Sequence, residues 1–310
     1  MKYCFGPVPS RRLGLSLGVD LLPAKTCNMD CIYCELGRAN GTICDVKEYF
    51  PYEEIAREIE EVVRAGHPRF DCLTFTASGE PTLHLRLGDL IGFSKSLIER
   101  PVVVLTNSGL VSRREVRQAL ASADIVLASL DAATPGAFRR INRPHRCVVL
   151  EEVIEGLSAL RGQMEGELWL EILFVSGIND QDGEVAALAK AVEQIDPHRI
   201  QLNTVVRPPA EEWARPVPQS RLREIRDALG ARAEIIVDYR AKMKAGAAGL
   251  VEAEILDMLK RRPLTCREIK ELFGFDADID GILQRLERQG LVVTRRVDSK
   301  DFYCTASQSG

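Results

Sequence analysis

The chain has 310 residues, 45% hydrophobic and 28% charged, which suffices for one large core and a small second domain. A formal charge of −4 and a pI near 5.8 give no overall attraction to a phosphate backbone, so any nucleic-acid contact has to come from a local basic patch. Met1-Lys2-Tyr3-Cys4-Phe5-Gly6-Pro7 has no apolar run behind a basic head, and no later segment nears the roughly 20 apolar residues of a membrane span; a soluble, cytoplasmic protein with no membrane partner is expected.

Short β-branched or apolar runs alternate with stretches of helical period along most of the chain. A strand over 15–21 leads into a cysteine-bearing loop. A helix over 51–64 follows, turning Ile55, Ile59, Val62 and Val63 inward. Further strands are expected at 72–76, 102–106, 125–130, 168–175, 200–205 and 235–237, with helical segments between most of them. Apolar strands separated by helices specify an α/β fold with a parallel sheet covered by helices, closed into a barrel or partial barrel.

A stretch of Lys, Ala and Gly at 241–249 reads as a linker between a large domain, 1–240, and a small one, 250–310. The small domain is expected to begin with a helix over 250–261. A second helix opens at Thr265, where Glu268 completes a capping box, and a third spans 276–289. Strands at 291–297 and 302–305 flank the polar turn Asp298-Ser299-Lys300-Asp301. Three helices and a hairpin in this order are those of a winged helix.

Cys27-Asn28-Met29-Asp30-Cys31-Ile32-Tyr33-Cys34 places three thiols within eight residues, just after a strand. Three cysteines can ligate three irons of a [4Fe-4S] cube and leave the fourth open to an exogenous ligand, whereas four cysteines close the cluster. The spacing alone also admits zinc, completed by Cys44 or His67. Cys44, Cys72, Cys147, Cys266 and Cys304 show no metal spacing and read as core or free thiols.

The C-x3-C-x2-C run with an aromatic before its last cysteine resembles the signature of the radical S-adenosylmethionine (SAM) superfamily. The resemblance implies a partial (β/α)6 TIM-like barrel and a [4Fe-4S] cluster on Cys27, Cys31 and Cys34. It further implies SAM on the open iron, cleaved reductively to a 5'-deoxyadenosyl radical with electrons from a donor such as flavodoxin or ferredoxin. Functional residues of such barrels gather at the carboxyl ends of strands. There Ala77-Ser78-Gly79-Glu80-Pro81 resembles the superfamily's Gly-Gly-Glu-Pro motif, with Ser78 replacing the first glycine; Ser78, Gly79 and Glu80 are expected against the SAM amino group. Asn107, Ser129 and Asp131 stand where relatives use short polar side chains for SAM's ribose and carboxylate, although Asp131 could instead cap the helix after Thr134. Tyr33 is expected beside the adenine. Val175-Ser176-Gly177-Ile178-Asn179-Asp180 looks like the adenine-side turn of the enzymes that begin molybdenum cofactor synthesis, with Asn179 and Asp180 open to either a ligand or a helix-cap role. Asn203 ends the next strand and is a further cofactor candidate.

Phe5 to Gly14, Ile141-Asn142-Arg143-Pro144-His145 and Leu202-Asn203-Thr204 before Arg207-Pro208-Pro209 resemble the group of radical SAM proteins related to wyosine tRNA synthetases, over roughly residues 3–240. The upstream cysteines of their second cluster reduce here to Cys4, and no lysine ends strand 168–175, so their pyruvate capture does not carry over. Arg11, Arg12, Arg139, Arg140, Arg143, His145 and Arg146 fall on two loops that could border the barrel mouth and suit phosphate or carboxylate. They favour a tRNA base or nucleotide as substrate. Asp276, Asp278 and Asp280 at the start of the third winged-helix helix would repel a phosphate backbone and favour a peptide or small metabolite. A metal-sensing, DNA-binding regulator is the remaining alternative; it leaves the polar strand ends unexplained.

Overall fold

The computed structural model describes residues 1–10, 12–39, 41–65, 70–76, 78–236, 252–273, 278–297 and 299–306. The linker 241–249 and the residues Arg11, His67 and Asp276 lie outside them. The chain opens with an antiparallel pair, β1 (Cys4–Ser10) and β2 (Gly14–Asp20), whose register shifts between Phe5 and Val8. Strand and helix then alternate through α1 (Tyr52–Arg64), β3 (Cys72–Thr76), α2 (Leu87–Leu97), β4 (Val102–Thr106), α3 (Arg114–Ala121) and β5 (Ile125–Ser129). Two helices, α4 (Pro135–Ile141) and α5 (Leu150–Gln163), precede β6 (Glu167–Phe174). The series ends with α6 (Asp182–Ile195), β7 (Arg199–Thr204), α7 (Gln219–Leu229) and β8 (Ala233–Ile235).

All eight strands pair in chain order, and every pairing from β2 to β8 is parallel. The strand–helix units β2–α1 to β7–α7 make the α/β, TIM-like layer, and β1 and β8 lie at the two ends of the sheet. Its apolar strands are buried between helices, as parallel sheets require. Val102, Val104 and Val126 share one core with Leu90 and Ile91 of α2, Val116 and Leu120 of α3, and Ile55 and Ile59 of α1. Val62 and Val63 pack on the same core but stay partly exposed.

Of the strand read at 235–237, Ile235 pairs with Leu202 as the last residue of β8, Ala233–Ile235, and residue 237 lies outside the described residues. Strand β1 had no signal of its own: Gly6, Pro7 and Pro9 argue against a strand, and proline is tolerated there because β1 is an edge.

The remaining described elements are α8 (Glu252–Arg261), β9 (Leu264–Thr265), α9 (Cys266–Phe273), α10 (Ile279–Arg288), β10 (Val292–Val297) and β11 (Lys300–Thr305). The three strands form their own antiparallel sheet in the order β10-β11-β9. The capping box is formed: the Thr265 amide donates to Glu268 Oε2 (2.8 Å) and the Glu268 amide donates to Thr265 Oγ1 (3.2 Å). At α10 the cap is Asp278, whose Oδ1 accepts from the Gly281 amide at 3.0 Å.

This unit docks on β1 and on the segment that follows β7. Phe5 and Val8 of β1 join its core of Ile255, Leu259, Leu264, Ile269 and Leu283, and the Arg262 guanidinium donates to the Pro9 carbonyl (3.1 Å). Beyond β7, the Arg207 guanidinium donates to Glu268 Oε1 (2.9 Å) and to the Pro263 carbonyl. Arg207 is 8% exposed, so its charge is balanced by Glu268 and, at 3.4 Å, by Glu35. A buried cation needs that company.

Candidate active site

The cysteine loop is held from below by a glycine. At Gly79 a Cβ would stand 1.9 Å from the Thr26 carbonyl oxygen, and it is through this gap that Thr26 pairs with Gly79 and the Glu80 amide donates to Thr26 O (2.9 Å). The glycine of the Ser78-Gly79-Glu80 motif therefore has a structural reason: only a residue without a side chain lets the turn after β3 run against the cysteine loop. Ser78 is turned the other way, its amide donating to Asp20 Oδ1 (2.6 Å) and its hydroxyl to Asp20 Oδ2 (2.9 Å). A serine in place of the usual glycine thus gains a partner at the end of β2.

Glu80 is 1% exposed and saturated by the protein itself. Its carboxylate accepts from the Thr106 hydroxyl (2.6 Å), the Thr82 hydroxyl (2.6 Å), the Thr82 amide (3.1 Å) and the Asn107 amide (2.7 Å). Burial raises its pKa, and those four donors oppose the rise. Side-chain capture of a SAM ammonium, one of the roles read from the motif, is at odds with this geometry; Glu80 ties the ends of β3 and β4 together.

Cys27, Cys31 and Cys34 line one cavity of about 210 Å³ together with Tyr33, Gly79, Glu80, Asn107, Ser129 and Glu171. All three are free thiols. Burial pushes the Cys27 thiol up to about 12 and the Cys34 thiol up to about 11, and lifts Cys31 well above its ordinary value. The metal-free protein therefore holds them protonated, and only a bound cationic centre would favour the thiolates. Two amides face the sulfurs: Asn107 Nδ2 lies 3.3 Å from Cys27 Sγ, and Asn142 Nδ2 lies 3.5 Å from Cys31 Sγ. Asn28, fully buried, links this frame by accepting from Asn107 Nδ2 at 2.6 Å. Asn28 Nδ2 and Asn142 Oδ1 are buried without a hydrogen-bond partner.

Asp131 does not cap the helix after Thr134. That cap is Thr134 itself, whose hydroxyl accepts from the Ala137 amide. The Asp131 carboxylate is 2% exposed and accepts from Tyr33 Oη, from Asn142 Nδ2 (2.6 Å) and from the Leu173 amide (2.9 Å). Burial pushes its pKa up to about 6 in spite of these donors. Asn203 Nδ2 donates to Glu171 Oε1 (3.0 Å), whose other oxygen meets Arg12 at 2.7 Å, so β6, β7 and the β1–β2 turn are joined across the barrel.

These side chains surround a second, larger cavity of about 690 Å³, lined by residues from β1 to β7 and by Arg262, Thr265, Glu268 and Phe302 of the C-terminal unit. The two cavities meet at Tyr33, Cys34, Gly79, Ser129 and Glu171. The predicted residues Tyr33, Ser78, Gly79, Ser129, Asp131 and Asn203 all border the larger one.

Other expectations separate. Asn179 serves the backbone, accepting from the Val175 amide (2.7 Å) and donating to the Asp131 carbonyl (2.7 Å) and the Leu173 carbonyl (2.8 Å). Asp180 accepts from the Gly177 amide (2.8 Å), and neither caps α6, whose N-cap is Gln181. The basic residues do not converge. Arg12 enters the cavity, Arg139, Arg140 and Arg146 are exposed, and Arg143 is paired with Glu211 at 2.6 Å. Cys44 is no fourth ligand for the cysteine loop: it is paired with Cys147, 103 residues away, with His145 alongside. Sequence reasoning passed over Asp20, Glu171 and Glu211, and quoted Asn142 only within a motif, with no role at the cysteines. Asp20 and Glu171 lie in strands where their neighbours read as core, and Glu211 sits in an irregular segment where nothing marks it.

Three soft ligands on one loop, at the mouth of an α/β barrel with polar strand ends, define an enzyme built around an iron–sulfur centre. Comparison with known proteins agrees: the model of the Radical SAM superfamily matches residues 21–189, and the chain belongs to that superfamily. UPF0026 protein MJ1312 of Methanocaldococcus jannaschii is 32% identical over 98% of this chain and 96% of its own length. A UPF0026 protein of Helicobacter pylori strain J99 is 33% identical over 98% of each. Among solved structures, that of TYW1 with a lysine–pyruvate adduct bound is similar in fold, with TM-score 0.51 and 18% identity over 69% of this chain and 72% of the other. The chain is thus a SAM-dependent enzyme whose cofactors are a [4Fe-4S] cluster and SAM, and such enzymes need an electron donor. Among the described residues no helix is long and apolar enough to cross a membrane.

Proposed function

We propose that this enzyme directs radical SAM chemistry at a nucleobase, in tRNA or a related nucleotide, held in the larger cavity. The observation that carries the proposal is the junction of the two cavities, which leaves a large space, with Arg12, Glu171 and Asn203 in its lining, beside the cysteine loop. In this reading Cys27, Cys31 and Cys34 hold the cluster. Gly79, Ser129 and Asn107 would hold SAM, and Tyr33, fixed by Asp131, would pack on its adenine; Ser78 and Glu80 shape the turn beneath. When bound, the cluster supplies the electron that cleaves SAM to methionine and a 5'-deoxyadenosyl radical, which takes a hydrogen atom from the substrate.

The chain's own residues orient and enclose. Glu171, Asn203 and Arg12 form one bonded set on the chamber wall that a base edge would contact, and Arg262, Arg267 and Lys300 add positive charge suited to phosphate. The C-terminal residues, a winged helix on this reading and a domain separate from 1–240, act as a cover. The N-terminal turn of α9 borders the chamber, while the acidic start of α10 is engaged locally, Asp280 with Lys270. That arrangement favours closure over the barrel above reading of DNA, and it also suits a second reading, a peptide or small metabolite enclosed by the same cover. A flavodoxin or ferredoxin in the cytoplasm would supply the electrons.

The test is anaerobic incubation of the cluster-loaded enzyme with SAM and reductant, in turn with bulk tRNA and with a tRNA-free metabolite and peptide extract. The proposal predicts that tRNA or its nucleotides stimulate 5'-deoxyadenosine formation and that a tRNA nucleoside changes mass. Stimulation by the extract alone would replace the substrate while leaving the radical chemistry intact.

A further inference from the structure

Cys44, His145 and Cys147 meet although no spacing in the sequence links them. Their ligand atoms all lie within 4.8 Å of one another, and His145 Nδ1 is 3.1 Å from Cys44 Sγ. We propose that this trio is a second metal site of the enzyme, one that takes a zinc ion when its cysteines are reduced.

Ligand chemistry comes first. Two thiolates and an imidazole form a soft donor set that suits zinc, and a fourth position is left for water or an external ligand. An iron–sulfur cube would call for more thiolates than the trio provides. His145 is already oriented as a ligand. Its Nδ1 accepts from the Cys147 amide (3.2 Å), which fixes the tautomer with the proton on Nε2; zinc would displace this hydrogen bond and take the same lone pair. With zinc–ligand bonds of about 2.0–2.3 Å, neighbouring ligand atoms of a tetrahedral site stand roughly 3.5 Å apart; His145 Nδ1 and Cys44 Sγ are already 3.1 Å apart, and the two sulfurs, bonded here, would separate on reduction.

The backbone points the same way. Cys44 and Cys147 are joined as a disulfide with their Cα atoms 6.7 Å apart, near the upper end of the roughly 4.4–6.8 Å that disulfides span. The enzyme needs reducing surroundings to keep Cys27, Cys31 and Cys34 as cluster ligands, and under those conditions paired cysteines persist as thiols. Reduction by a dithiol transfers two electrons and two protons to the pair, leaving two thiols and the oxidised dithiol. Binding of Zn²⁺ then releases the two thiol protons.

Position gives the site a purpose. The Ile43 amide, next to Cys44, donates to the Cys27 carbonyl (2.9 Å), and the His145 amide donates to the Asn28 carbonyl (2.9 Å). Met29 pairs with Pro144 as well. Zinc on this trio would clamp together the two segments that grip the cysteine loop from either side, and so slow loss of the [4Fe-4S] cluster.

The experiment is metal analysis of the full-length, cluster-loaded enzyme, kept anaerobic with a dithiol and exposed to Zn²⁺ alone. About one zinc per chain is expected beside the cluster iron. Cys44→Ser and Cys147→Ser should each lose that zinc while keeping the iron. His145→Ala should weaken zinc binding roughly 10- to 100-fold. Cobalt offered in place of zinc should show a sulfur-to-metal charge-transfer band that the cysteine variants lack. Should a variant fail to fold, the wild-type chain still decides: its dithiol-reduced form must take up zinc, and its form with the Cys44–Cys147 disulfide must not. Absence of zinc from the reduced wild type, equal zinc in wild type and variants, or extra iron in its place would each overturn the proposal. None of these outcomes depends on which substrate the enzyme uses.

Discussion

The floor of the cavity and its cover are built by different means. Around the cysteine loop, buried polar groups are locked by hydrogen bonds: Glu80 accepts four, Asp131 three, and two asparagine amides face cysteine sulfurs. The C-terminal unit is attached by an apolar patch on β1 and by a few charged contacts, with Arg207 at their centre. The contrast suits the chemistry. A radical has to be generated in a fixed, dry frame, whereas a substrate has to enter and leave, and contacts carried mainly by one strand and a few ion pairs can open without disturbing the frame.

Substitutions should separate the two regions, and the largest effect belongs to the floor. Cys31→Ala is expected to abolish both the brown colour and SAM cleavage while the cover stays docked; a full cluster in that variant would refute the ligand assignment. Arg207→Ala should act on the cover instead, removing the cation that faces Glu268 and Glu35, while Glu268 keeps its Thr265 donors, at a cost of about 2 kcal/mol. Chemical denaturation should then show the C-terminal residues melting in an earlier transition, with iron content unchanged.

A pH effect follows from Asp131, whose pKa is pushed up to about 6. The folded state holds that proton more tightly than the unfolded chain does. Asp131's contribution is therefore fully present below about pH 4 and is lost as pH rises through about 6, a difference of ~3 kcal/mol. Stability of metal-free wild type and Asp131→Asn, measured across that range, should diverge in slope, and parallel curves would remove Asp131 from the account. Glu80→Gln, with an amide NH₂ set among groups that donate, should cost about 2 kcal/mol and loosen the turn at Gly79. Faster iron loss to a chelator is the readout, and an unchanged rate would separate Glu80 from the cysteine loop.

Much of the floor was legible in the sequence because its signals are local. Cys27, Cys31 and Cys34 fall within eight residues, and the strands carrying Asn107, Ser129 and Asn203 are marked by apolar runs. What escaped depends on which strands become neighbours. Asp20 partners Ser78, Glu171 partners Asn203 and Arg12, and Asn142 meets Cys31 only once β2 to β7 have paired. The Cys44–Cys147 encounter spans 103 residues and has no periodicity to announce it. Strand β1 was hidden by its own prolines, which an edge strand accepts.

The central claim is that the cysteine loop carries a cluster able to cleave SAM. It is tested most directly by anaerobic iron and sulfide analysis of the full chain, combined with a reductant-driven assay for 5'-deoxyadenosine. About four irons and four sulfides per chain with SAM-dependent 5'-deoxyadenosine are predicted. Zinc at Cys27, Cys31 and Cys34, with no cleavage product, would contradict it.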